Sequence, residues 1–209
     1  MSSTITSNIH VAPRAQTTTS TNAVSGHRRY PRTIDNGAGE LLTFLGVHTG
    51  ADGREVLEVE NQVQPGAGPP MHAHHLQEES LTVQEGRIGY RLAGGPDRFA
   101  GPGDTVTFAP GQMHRFWNAG DGVLRCSGRV SPPDNMEYVL TEVFASMQRS
   151  GGRPNPFDAA YLLGRYRTEI AQGDIPAPIR VVVFPILRAL GRLLGRDRRY
   201  VDAPPPIRR

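Results

Sequence analysis

Residues 66–79 read Gly-Ala-Gly-Pro-Pro-Met-His-Ala-His-His-Leu-Gln-Glu-Glu and hold three of the chain's seven histidines, followed by two glutamates. Side chains on a β-strand alternate between two faces, so His72 and His74 would point to one side and His75 to the other. A fourth histidine, His114, lies about forty residues on in a second stretch rich in glycine and proline. Three imidazoles and one carboxylate form a donor set suited to iron, manganese, nickel, copper or zinc, and not to calcium.

The sequence around this stretch has the pattern of a β-protein. From Tyr30 onward, short apolar runs are separated by Gly, Pro, Asn and Asp, which favour tight turns. The strands predicted in this way are 41–47, 55–63, 80–83, 87–92, 105–108, 114–117 and 123–130. Many short strands with regular turns indicate a mainly β domain, built as an antiparallel sandwich or barrel.

The last third of the chain changes to a helical period. After residues 132–133, apolar residues recur at steps of three and four up to a Gly-Gly pair, which predicts an amphipathic helix. An N-cap residue, a proline and an acid within 155–158 open a second helix, which we expect to run to about residues 172–173. A third helix is predicted over 179–195, where one face is apolar and Pro185 should introduce a kink.

These patterns divide the chain into a flexible N-terminal tail (1–28), a β-barrel domain (29–133) and a helical C-terminal extension (134–209). The helix at 179–195 could be a lid on the barrel, a dimer interface or a peripheral contact with a membrane surface, and ordinary packing is favoured. The predicted helix 179–195 is too short to span a bilayer, which needs about 20 apolar residues. Its arginines also make it too charged to do so, and a proline lies near its centre.

Charge and cysteine content narrow the setting of the protein. A formal net charge of +3, with arginines crowded near the C-terminus, gives no reason to expect a nucleic-acid partner. The single cysteine, Cys126, cannot form an intramolecular disulfide and is interpreted as a buried thiol. The N-terminal residues lack the apolar run of a secretory signal, so we expect a cytoplasmic protein.

The spacing of these residues resembles the two motifs of the cupins, which are jelly-roll barrels of the double-stranded β-helix type. The first motif combines glycines, a His-x-His pair and a glutamate. Its positions here are Gly66, His72, His74, Glu79 and Gly86. The second motif departs at one position, where Ala109 replaces the expected proline and Pro110 is displaced by one. Its other positions are Gly103, Gly111, His114 and Asn118. The resemblance covers about residues 40–130 and implies a cupin barrel with the helical extension outside it.

The resemblance also implies four ligands for one divalent transition metal. They are His72, His74, Glu79 and His114. On a continuous strand, Glu78 would share a face with the two histidines, whereas the family spacing favours Glu79, so Glu78 is the second choice. His75 should face outward and stay out of the metal's ligand set.

Four protein ligands on a six-coordinate metal leave two positions open, which distinguishes a working metal from a structural one. We therefore expect a mononuclear metal-dependent enzyme, dioxygenase-like, acting on a small organic molecule. Fe(II) is the favoured metal and Mn, Ni or Zn are alternatives, while Phe116 and Tyr90 are candidates for substrate contact. A redox-neutral isomerase, epimerase or decarboxylase and a non-catalytic small-molecule-binding cupin stay open as alternatives. The resemblance further implies a homodimer.

Overall fold

The computed structural model describes residues 29–208, so the predicted tail at 1–28 lies outside the described part of the chain. Within residues 29–208, the strands form two antiparallel sheets. The first sheet contains, in spatial order, β1 (Arg32–Asp35), β2 (Glu40–Thr49), β3 (Glu55–Val63), β10 (Leu124–Ser131), β5 (Glu78–Glu85) and β8 (Thr105–Phe108). The second contains β11 (Ile170–Gln172), β4 (His72–His74), β9 (His114–Asn118), β6 (Ile88–Leu92) and β7 (Arg98–Ala100). The predicted mainly β class is confirmed.

Alternation along the strands decides which side chains enter the space between the sheets. On β3, Leu57, Val59 and Val63 are buried, while the glutamates between them are more exposed. Cys126 on β10 is buried in the same interior, as its sequence context predicted. The strands end in sharp reversals, and the four motif glycines all have a positive φ that residues with a side chain rarely adopt. These are Gly66, Gly86, Gly103 and Gly111.

Three apolar cores fill the described part of the fold, and two of them involve the barrel strands. The first lies between the two sheets and includes Val63 and Leu81 from one sheet with Ile88 and Phe116 from the other. The second lies where the first helix of the extension, α1 (Met136–Arg149), packs onto β2 and β3. The extension therefore contributes to the core of the barrel domain instead of standing apart from it.

The second helix is shorter than predicted. α2 spans Pro156–Arg165, and its N-cap is the expected one, since the Asn155 side chain accepts a hydrogen bond from the backbone N–H of Phe157. The prediction that it continues to about residues 172–173 is wrong. The chain turns after α2 and forms β11, which pairs antiparallel with β4. Apolar residues at helical spacing continue past Arg165, where α2 ends. The pairing of β11 with β4 outweighs this local pattern, and it joins strands far apart in the sequence.

The third predicted helix consists of a π-helical turn (Ile179–Val183) followed by α3 (Phe184–Leu193), and a 3-10 helix (Arg196–Tyr200) comes next. Pro185 lies in the first turn of α3, directly after the π-helical turn. α3 packs against α2 through the side that carries buried Gly191. The packing expected of its apolar face does not form within the described chain, because most of that face is exposed.

Candidate metal centre

The four predicted ligands come from three strands in the two sheets. His72 and His74 lie on β4, and His114 opens the neighbouring β9, where it pairs directly with His72. Glu79 lies at the start of β5 in the opposite sheet. The site therefore bridges the gap between the two sheets, and no single strand could build it.

The geometry converges on one carboxylate oxygen, Oε2 of Glu79. It lies 3.1 Å from Nε2 of His114, 3.2 Å from Nε2 of His74 and 3.9 Å from Nε2 of His72. One donor atom from each of the four residues lies within 4.8 Å of all the others. The structure thus brings together all four residues that the motifs selected.

Backbone carbonyls orient two of the imidazole rings. Nδ1 of His72 lies 2.9 Å from the carbonyl of Pro70, and Nδ1 of His114 lies 2.8 Å from the carbonyl of Gln112. Each Nδ1 donates its proton to that carbonyl, so Nε2 is the ring nitrogen that faces the cluster. His74 presents its Nε2 to the same centre, while its buried Nδ1 has no hydrogen-bond partner among the described residues.

Burial and neighbouring groups set the charge state of the cluster. Burial, and to a smaller extent the charge of His74, lower the pKa of His72 to about 3, so this ring stays neutral at physiological pH. Burial alone would raise the pKa of Glu79, but hydrogen bonds with His114 and His74 outweigh it and hold the pKa well below its usual range. An ionised carboxylate and the Nε2 atoms of His74 and His114 thus meet at about 3 Å, and a divalent transition metal that displaced the protons between them would find a suitable donor set.

Glu78 and Glu79 point in different directions, and Glu79 faces the histidines because the strand that carries the histidines does not continue into the strand that carries the glutamates. β4 ends at His74, and β5 begins at Glu78 in the other sheet. This break resets the alternation, so Glu79 and not Glu78 points its carboxylate at the imidazoles. His75 is exposed and lies outside the cluster, as its position on the strand predicted.

Aromatic side chains form one wall of the site. Phe108 stacks on the His114 ring, with centroids 3.8 Å apart and planes 8° from parallel. Tyr90 is partly buried and meets the edge of Phe108 at a centroid distance of 6.2 Å. Phe116 is buried in the core between the sheets, opposite Tyr90 in the β6–β9 pairing. Sequence reasoning missed Phe108, although its place at the end of a buried strand beside the second motif was a usable signal.

A second polar group inside the barrel was also missed. Glu40 on β2 is only 6% exposed, and its Oε1 accepts a 2.8 Å hydrogen bond from Nδ2 of Asn61 on β3. Burial raises the pKa of Glu40 to about 7, against the opposing hydrogen bond from Asn61 and with a further rise from the charge of Glu79. Its signal was strand phase, since Glu40 lies on the same face of β2 as buried Leu42 and Phe44.

Comparison with known families agrees with this architecture. Residues 59–127 match the family model described as "Cupin domain", a stretch that includes all four clustered residues. With the two-sheet barrel and the motif glycines in place, the match confirms the predicted cupin domain in this part of the chain.

Individual relatives are distant. Over 96 residues, which is 46% of this chain, the sequence is 28% identical to "Probable oxidoreductase virH" of Hypocrea virens. The match spans only 36% of that relative's length. Similar solved structures include the polyketide cyclase RemF of Streptomyces resistomycificus, with 25% identity, 52% of this chain and 79% of that chain covered, and a TM-score of 0.40. An RmlC-like cupin of Shewanella frigidimarina has 22% identity, with 52% and 92% covered and a TM-score of 0.42.

Proposed function

We propose that the protein is a mononuclear metal-dependent enzyme, dioxygenase-like, that acts on a small organic molecule and uses Fe(II) as its preferred metal. The observation that carries this proposal is the convergence of three imidazole nitrogens on one oxygen of Glu79. A three-nitrogen, one-oxygen donor set suits iron, and also manganese, nickel or zinc. A metal held there would act as a Lewis acid and, in the case of iron, as a redox centre.

The residues of the chain have separate tasks in this proposal. His72, His74, Glu79 and His114 hold the metal. The carbonyls behind His72 and His114 fix the tautomer and direction of those rings, as outer partners of metal-binding histidines do. Phe108 covers one face of His114 and limits the access of water to that ligand. Tyr90 and Phe116 remain the proposed substrate contacts, with Tyr90 the more accessible of the two.

The comparison with the Hypocrea virens protein supports redox chemistry over redox-neutral chemistry, because that relative's name describes an oxidoreductase. That match covers 46% of this chain and 36% of the relative, so the substrate and the reaction stay proposals. A homodimer likewise stays a prediction.

Metal analysis of the full chain tests the proposal. We expect about one equivalent of iron after loading, and we expect His114→Ala to lose it. His75→Ala is the matched control, since His75 is exposed on the same stretch and should keep the wild-type metal content. Oxygen consumption is then measured with the iron-loaded protein against a panel of phenolic and dicarbonyl compounds.

The possible results separate the alternatives. The metal centre is refuted if the wild-type protein binds no transition metal, or if His114→Ala keeps the wild-type metal content. Bound metal without turnover of any compound would favour a non-catalytic binding protein. Turnover of a compound without oxygen uptake, and with manganese, nickel or zinc, would favour an isomerase, epimerase or decarboxylase.

A further inference from the structure

An exposed apolar surface runs along the third helical segment of the extension. Its eight side chains are between 37% and 83% exposed, and we call them the apolar ridge. They are Ile179, Val181, Val182, Val183, Ile186, Leu190, Leu193 and Leu194. Single exposed apolar residues are ordinary, but a contiguous set of this size marks an interaction surface.

The apolar ridge is separate from the surface through which α3 packs on the rest of the protein. α3 already uses another side to pack on α2, where Gly191 is buried and Phe157 lies nearby. Leu193 and Leu194 are 83% and 64% exposed, so they make little contact with the rest of the described chain. The helix therefore has one side committed to the fold and another turned outward.

The charge of the same segment has a single sign. Residues 179–196 contain four arginines and no aspartate or glutamate. Arg180 and Arg192 are exposed on this segment, whereas the Arg196 guanidinium lies 4.8 Å from the ring centroid of Phe157 on α2. Arg192 has only a 3.9 Å approach to Asp197, with its side chain 74% exposed, so its charge is largely free for another partner. The apolar ridge thus has a cationic border.

The apolar ridge and its arginines distinguish between two possible binding partners, a second copy of the chain and a lipid surface. A second copy of the chain, packed ridge to ridge, would bring two sets of arginines together, and Asp197, the acid directly after the segment, makes only a 3.9 Å approach to Arg192. An anionic lipid surface instead offers apolar depth for the leucines and phosphates for the arginines. No helix within residues 29–208 is long and apolar enough to cross a bilayer. The segment matches a helix that lies in the plane of the membrane.

We propose that residues 179–196 bind the surface of an anionic membrane, with the apolar ridge inserted among the acyl chains and the arginines at the level of the phosphates. The proposal does not depend on the metal centre. Arginines near an anionic surface each strengthen binding by about fivefold. Each inserted leucine strengthens it by at least about tenfold.

Vesicle co-sedimentation of the full chain tests this proposal. The protein is mixed with vesicles of phosphatidylcholine alone or of phosphatidylcholine with phosphatidylglycerol. We expect binding to the anionic vesicles that weakens as salt is raised. The double variant Leu193→Ser/Leu194→Ser should lose binding, and Arg192→Gln should weaken it about fivefold. Val201→Ser is the matched control, because Val201 is 80% exposed but lies outside the ridge.

Two further measurements make the result decisive. Circular dichroism establishes that each variant keeps the fold, and light scattering gives its oligomeric state. Failure of the folded wild type to bind anionic vesicles, or equal binding to both vesicle types, overturns the proposal. A wild-type dimer that the leucine double variant converts to monomers, with vesicle binding unchanged, overturns it in favour of a second copy of the chain.

Discussion

Glu40 is a carboxyl group enclosed in the barrel, and its replacement by glutamine should change how the stability of the protein depends on pH. The side chain is 6% exposed and is held by Asn61 at 2.8 Å and Asn36 at 3.4 Å. Glutamine has nearly the same shape and can accept the same hydrogen bond from Asn61. It cannot ionise, so it reproduces the protonated form of Glu40 at every pH.

The magnitude follows from the pKa of this group. Burial raises the pKa of Glu40 from 4.5 to about 7 in the folded protein. Between these values the folded chain keeps a proton that the unfolded chain releases, so the group's stabilising contribution is complete below about pH 4.5 and is lost as pH rises through about 7. At about 1.4 kcal/mol per pKa unit, the loss is roughly 3 kcal/mol.

Urea denaturation of wild type and Glu40→Gln at several pH values, with a chelator present, measures this effect. We expect the variant to be more stable by less than about 1 kcal/mol near about pH 5 and by roughly 3 kcal/mol near about pH 8. Glu60→Gln is the control, because Glu60 is an exposed carboxyl on the other face of β3. If the free energies of unfolding of wild type and Glu40→Gln differ by the same amount at every pH in this range, the reasoning about a buried proton is wrong.

Two backbone positions give further predictions. Gly68→Ala should destabilise the fold by at least about 3 kcal/mol, because φ is +148° and the new Cβ would lie 2.3 Å from the carbonyl oxygen of Phe116. Gly66→Ala, with φ +76° and open space around it, should cost only about 1 to 2 kcal/mol in the same urea titration. Ala171→Pro should remove a ladder bond between β11 and β4 and lower metal affinity by about tenfold or more, measured by metal titration. Gln172→Pro is its control, since the N–H of Gln172 points away from β4, and equal losses in both variants would contradict this account.

The barrel could be predicted from sequence because its signals are local. β3 and β8 have the predicted bounds, since apolar alternation and flanking turn residues define both ends. The motif spacing selected the four clustered residues because, within each motif, the ligands stand at defined steps from glycines that turn the chain. Glu79 required the family spacing, because alternation alone favoured Glu78 until the break between β4 and β5 was known.

What sequence reasoning missed depends on contacts between distant parts of the chain. Glu40 lies in phase with the buried residues of β2, but its partner Asn61 is 21 residues away on another strand. Only the pairing of β2 with β3 places both on the inner face. The apolar face of 179–195 predicted packing by its periodicity, but periodicity identifies an apolar face without identifying what covers it.

Strand β11 shows how far the metal centre extends beyond the motifs. β4 has only three residues, and among the described strands its pairing with β9 consists of the single pair His72 and His114. β11 supplies three more pairs, and backbone bonds from His75 to Glu169 and from Gly173 to Met71 continue the ladder at both ends. Because most of the hydrogen bonds that hold this strand come from residues after 165, the position of two ligands depends on the extension. The cupin match ends at residue 127, so the matched region alone does not contain everything that shapes the site.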